Sequence, residues 1–82
     1  MTVKYKLKKD LVSRAAAQLN WELNKVKSEV SIVGARQINA KSLIGVLSGD
    51  FHKGDIVVIN YSLASDKENI TQIFNTIGEQ YG

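Results

Sequence analysis

The sequence predicts an α+β fold of the open-faced sandwich kind, a four-stranded antiparallel sheet with three helices on one face. The predicted order is β-α-β-β-α-β-α. Three observations predict it. Runs in which apolar and polar residues alternate recur near 3–8, 29–33 and 36–39, and a β-branched run fills 55–62; period two is the pattern of strands. Two longer stretches, about 13–26 and 66–80, carry apolar residues at helical spacing. Between the strands lies a short apolar segment, 42–48, that begins with serine and is followed by Gly49, the boundary signals of a short helix. Eighty-two residues, 44% hydrophobic and 23% charged, fit a single globular domain, 1–82, and neither a disordered nor a multidomain chain.

The elements follow in order. Val3, Tyr5 and Leu7 point inward from the first strand and Lys4, Lys6 and Lys8 outward; lysines on a strand also discourage aggregation at its edge. Asp10 to Ser13 reads as a loop, with Ser13 placed to cap the first helix. Ala15, Ala16, Leu19, Leu23 and Val26 form that helix's apolar stripe, and Trp21 falls outside it. Residues 29–39 read as a hairpin in which Gly34 supplies a positive φ. The run 55–62 reads as a central strand, with the Val57, Ile59 and Tyr61 side expected to be only partly covered. Ser65 and Glu68 form a capping-box pattern ahead of Ile70, Ile73, Phe74 and Ile77.

Composition removes several function classes. There is no cysteine, so disulfides, thiolate metal sites and thiol catalysis are excluded. The single histidine, His52, has no partners spaced for a metal site, and no metal or other cofactor is expected. No paired acid–base constellation is present, and a chain this short has little room for a large pocket, so the expectation is a protein that is not an enzyme. No apolar run approaches the ~20 residues of a membrane span, and the N-terminal residues lack a hydrophobic signal core; the expected location is the cytoplasm. Charge is uneven, +6 over residues 1–41 and −3 over 42–82. A nucleic-acid interface through Lys4, Lys6, Lys8 and Lys9 is one reading of this asymmetry. Only Tyr5 interleaves an aromatic with those lysines, so a solvated basic face is the plainer reading.

One segment carries a motif. Asn39-Ala40-Lys41-Ser42-Leu43-Ile44-Gly45-Val46-Leu47-Ser48 resembles the regulatory-serine motif of the HPr family, phosphocarriers of the sugar phosphotransferase system. Lys53-Gly54 and the following strand continue the likeness, and Arg14, Ala16, Leu19, Leu23 and Val26 resemble the family's first helix. The likeness covers the whole chain and implies the family's sandwich fold. In the family the active loop reads His-Ala-Arg-Pro; here Val12-Ser13-Arg14-Ala15 stands in its place. The arginine is kept, and the histidine and proline are not. A histidine at a helix N-terminus accepts a phosphoryl group on nitrogen, and free N–H groups and an arginine stabilise the anion. Valine has no lone pair to offer.

The resemblance therefore implies a divergent, histidine-less regulatory member, similar to relatives such as Crh. Two alternatives stay open, a phosphocarrier that uses Ser13 or His52 and the basic nucleic-acid-binding domain above. Without such a role Ser13 is an ordinary hydroxyl with no evident base, and His52 an ordinary loop histidine or a pH-sensitive contact. Ser42 is read first as a helix cap and, through the resemblance, as the target of a serine kinase. The resemblance also implies a partner-binding patch of Arg14, Ala17, Trp21, Leu43, Ile44 and Leu47, against the simpler reading that most of its apolar members are core. Val46 is expected in the core. The implied partners are a transcription regulator, a serine kinase or a phosphotransferase-system protein, with the chain itself a monomer or weak dimer.

Overall fold

The computed structural model describes residues 1–81. The strands are β1 (Thr2–Leu7), β2 (Val30–Val33), β3 (Gln37–Asn39), β4 (Ile56–Tyr61) and β5 (Gly78–Gln80). The helices are α1 (Ser13–Leu23), α2 (Leu43–Ser48) and α3 (Lys67–Asn75), with a 3₁₀ turn at Ala64–Asp66 leading into α3. All strands belong to one sheet in the order β3-β2-β4-β1-β5, and every pairing is antiparallel. The sandwich is as expected, but its sheet has five strands rather than four.

The core lies between one sheet face and the helices. Tyr5, Leu7, Val30, Ile32, Val57, Ile59 and Tyr61 from the sheet pack in one cluster with Ala16, Leu19 and Leu23 of α1, Val46 of α2, and Ile70 and Phe74 of α3. The Tyr5 and Phe74 rings meet at 5.7 Å between centroids. The Tyr5 hydroxyl donates to Asn75 Oδ1 at 2.7 Å, and its burial raises the phenol's pKa. On β4 the burial is the reverse of the expectation. Val57, Ile59 and Tyr61 are the covered side, while Ile56 is exposed. In a nearly continuous apolar run the period-two signal does not say which side faces the helices.

Both long helices are shorter than the spacing suggests. After Leu23 the chain tightens, and Val26 reaches the core through a three-residue bond, Val26 N to Leu23 O at 3.2 Å. After Asn75, Thr76 N and Ile77 N likewise bond three residues back, to Ile73 O and Phe74 O, and the Thr76 hydroxyl takes a second bond to Ile73 O at 2.6 Å. Ile77 still reaches the core, but Gly78 turns into β5 beside β1. A Cβ on Gly78 would lie 2.7 Å from the Lys6 carbonyl oxygen, so this close strand approach requires glycine.

The expected caps also differ. Val12, not Ser13, is the N-cap of α1, and it makes no side-chain cap bond. Ser13 instead has φ +48°, a left-handed conformation costly for a non-glycine residue. The Ser65–Glu68 box does not form; Asp66 is the N-cap of α3 and its side chain does not cap. It accepts from Ser28 N and Ser28 Oγ, both at 2.7 Å, tying the start of β2 to the start of α3. Gly34 has no positive φ; that conformation belongs to Gly54, Ser13 and Asp50. Gly34 instead lies against the Phe51 ring, where a Cβ would sit 3.1 Å from Cε1.

Candidate functional site

The residues singled out by the sequence fall at the N-termini of two helices and on the outer faces of α1 and α2. The N-terminus of α1 is built by the loop after β1. Leu11 is buried, and its N–H donates to Phe51 O at 3.0 Å. Asp10 Oδ1 accepts from Lys53 N at 2.7 Å. These bonds fasten the start of α1 to the loop that follows α2. Val12 then projects its aliphatic side chain outward, 50% exposed. Its carbonyl accepts from Ala15 N and Ala16 N, so the helix starts there without help from any side chain. Ser13 and Arg14 beside it are exposed.

The N-terminus of α2 is different. Ser42 has extended backbone dihedrals, and its Oγ accepts from Gly45 N at 3.2 Å. This is the side-chain capping bond that α1 lacks. Ser42 is half-buried. Lys41 does not stand free beside it: its ammonium donates to Val26 O at 2.6 Å, beyond the end of α1.

The two helices pack against each other and are pinned by side-chain amides. Asn20 Nδ2 donates to Ala40 O at 3.3 Å, and Asn24 Nδ2 to Lys41 O at 3.2 Å. Asn20 and Asn24 were not singled out from the sequence, although their four-residue spacing puts them on one side of α1. Arg14, Ala17 and Trp21 share the exposed side of α1. On α2, Leu43, Ile44 and Leu47 are exposed, Ile44 at 79%, while Val46 is fully buried. Trp21 is 59% exposed, with the Lys25 ammonium 3.5 Å above its ring. Val12 extends the exposed apolar surface at the start of α1; the sequence marks it only as a missing nucleophile.

His52 is the one histidine, and it lies near the start of α1 in space. Its Nε2 is 2.8 Å from Asp50 Oδ1, and its Nδ1 is 3.8 Å from Asp10 Oδ1. Its backbone N–H donates to Asp55 Oδ2 at 2.9 Å. Among the described residues no hydrogen bond or ion pair joins His52 to Arg14. Among the same residues no group of three His, Asp or Glu is arranged to hold a metal ion, and no helix is long and apolar enough to cross a membrane.

Known proteins share this arrangement. The family profile described as the PTS HPr component phosphorylation site matches residues 1–78. Among solved structures, an HPr from Thermoanaerobacter tengcongensis is 26% identical, with a TM-score of 0.77 over 94% of this chain and 88% of its own. The phosphocarrier protein HPr of Bacillus anthracis has the same fold, at 24% identity and a TM-score of 0.79 over 94% and 93% of the two chains. Crh of Bacillus subtilis, solved as a domain-swapped, intertwined dimer, is 27% identical with a TM-score of 0.69 over 84% and 80%. No curated protein sequence matches. With the family's profile spanning all but the last few residues of a chain folded as its members are, this protein belongs to the HPr family of the phosphotransferase system.

Proposed function

We propose that this chain is a regulatory, histidine-less member of the HPr family, similar in kind to Crh. It acts by binding proteins rather than by carrying a phosphoryl group on the family's histidine, and it is not an enzyme. The observation that carries this reading is Val12, an exposed aliphatic residue at the N-cap of α1. The free N–H groups at the start of the helix and Arg14 remain available to an anion, but the group that forms the N–P bond is missing.

The docking surface in this reading is Arg14, Ala17 and Trp21 of α1 with Leu43, Ile44 and Leu47 of α2. Exposed apolar side chains on two helices held in fixed relation make a partner surface. An aromatic and an arginine among them supply the residue types that dominate binding energy. The partner is a protein: a transcription regulator, a serine kinase or a phosphotransferase-system component of the cytoplasm. Ser42 is the switch. A phosphate there adds about −1.5 to −2 charges at the start of α2, beside Leu43 and Ile44. The positive end of the helix tolerates that charge, so phosphorylation alters the docking surface while leaving the fold in place. Incubation with ATP and a serine kinase of the family tests the switch. Wild type is labelled and Ser42→Ala is not; equal labelling of both removes Ser42 from this role.

One observation favours a second reading. The loop bonds Leu11–Phe51 and Asp10–Lys53 bring His52, an imidazole of the kind that can accept a phosphoryl group, near the start of α1. Two carboxylates, Asp10 and Asp50, flank the ring, and they repel a phosphoryl dianion. The first reading therefore stands ahead of a carrier based on His52. Phosphoenolpyruvate-dependent labelling that disappears in His52→Ala reverses that order.

A further inference from the structure

We infer that β5 is a detachable strap covering a binding edge, and that the ligand of this edge is an acidic segment in extended conformation. The edge is the outer side of β1. It shares no residue with the α1–α2 surface, and it is independent of the regulatory role proposed for that surface.

β1 is fully paired on its inner side, where Thr2 to Lys6 match Asn60 to Ile56 of β4. On its outer side, among the described residues, β5 pairs only Tyr5, Lys6 and Leu7. Two further backbone bonds close the ends of this short ladder, Lys8 N to Ile77 O at 2.8 Å and Tyr81 N to Lys4 O at 2.9 Å. A three-residue strand at the rim of a sheet, paired on one side only, is among the easiest elements to open locally. Its opening leaves a row of backbone donors and acceptors along β1, the arrangement to which extended peptides add as a further strand.

The edge also specifies its ligand. Lys4 and Lys6 project from β1 to the open side of the sheet, and Lys8 and Lys9 follow. β5 answers this charge with Glu79, which stands opposite Lys6 in the register. It answers the tight spacing with Gly78, since a Cβ there meets the Lys6 carbonyl oxygen. β5 is thus a built-in example of what the edge accepts: a small residue opposite Leu7, then one acidic residue opposite Lys6. An external segment that runs the length of β1 adds pairs at Thr2 to Lys4 and a second acid opposite Lys4, which β5 does not supply. Opposite charges directly across an antiparallel pair stabilise it.

The test uses the full chain, two variants and a fluorescein-labelled seven-residue probe, Ile-Gly-Glu-Gln-Glu-Val-Thr. The control probe has lysine in place of both glutamates. Gly78→Val removes the space that β5 needs, and Glu79→Lys sets lysine against Lys6 without altering β1. Hydrogen exchange at the Lys8 and Tyr81 amides reports strap release, and fluorescence anisotropy at low salt reports binding. Both variants release the strap and bind the acidic probe about tenfold more tightly than wild type, as expected when an intramolecular competitor is removed. Binding weakens with salt, and the lysine probe does not bind. The inference is overturned if the released variants bind no better than wild type or accept the lysine probe equally. Continued protection of both amides in both variants overturns it as well, because β5 is then not detachable.

Discussion

The N-terminus of α1 lies against the loop that follows α2, that of α2 lies against the end of α1, and the two are built in opposite ways. At α2, Ser42 caps the helix with its own side chain. At α1, Val12 occupies the capping position and contributes nothing, and the next residue, Ser13, is held in a left-handed conformation. The helix start with a polar residue at its cap is closed by a side-chain bond; the one with valine there is closed by backbone bonds alone. The contrast separates scaffold from chemistry. Leu11, Phe51 and Asp10 maintain the start of α1 through packing and backbone bonds, so its shape does not depend on the residue at position 12.

Restoring the lost group breaks the contrast most strongly. Val12→His places an imidazole at the start of α1 beside Arg14. Labelling from phosphoenolpyruvate and the general phosphotransferase enzyme should rise from background to a clear acid-labile signal. Absence of label in a folded variant shows that the missing proline or another feature also matters.

Overpacking where the end of α2 meets the start of α1 has the next largest effect. Phe51 lies beside the C-cap of α2, where an added Cβ on Gly49 collides with its ring, and its carbonyl holds Leu11 at the start of α1. Gly49→Ala should cost about 1–3 kcal/mol, read by chemical denaturation. An unchanged midpoint means that the ring moves freely and does not couple α2 to the start of α1.

A third helix N-terminus, that of α3, sharpens the comparison through pH. Asp66 occupies its N-cap, but the carboxylate serves Ser28. The Ser28 hydroxyl bond is the main cause holding its pKa below the ordinary aspartate value, aided by the Ser28 and Lys27 amides and the Lys41 charge, against desolvation. A depressed native pKa means that the stabilisation is full above the unfolded-state pKa of about 4 and is lost as pH falls below it. Wild type should lose melting temperature across that window more steeply than Asp66→Asn. Parallel curves show that the Ser28 contact does not stabilise the fold.

The smallest effects test the caps themselves. Ser42→Ala should destabilise by about 1 kcal/mol through loss of the Gly45 bond. Ser13→Gly should stabilise by a similar amount, about 1 kcal/mol, by relieving the positive φ. Two changes of the same sign in thermal unfolding contradict the assigned roles.

These cases show what the sequence made legible. The start of α2 was readable because capping is local: a serine, a short apolar run and a glycine specify it together. The sandwich, the β2–β3 hairpin and the exposed Trp21 were likewise readable from periodicity. β5 was not, because Ile77 continues a helical spacing while its neighbour Gly78 answers to the Lys6 carbonyl, remote in sequence. The Ser13 conformation and the Ser28–Asp66 tie were hidden for the same reason. The face of β4 was ambiguous because both sides are apolar. Among the candidate site residues, Arg14, Ala17, Trp21, Leu43, Ile44 and Leu47 are all exposed. The position of His52 against Asp10 depends on two loops meeting, and no local pattern records it.

Intact-mass analysis after incubation with phosphoenolpyruvate and the general phosphotransferase enzyme tests the central claim most directly, with wild type and Val12→His in one mixture. A histidine-less regulator predicts one added phosphoryl group on Val12→His and none on wild type. An acid-labile phosphoryl group on wild type, on whatever residue, contradicts it.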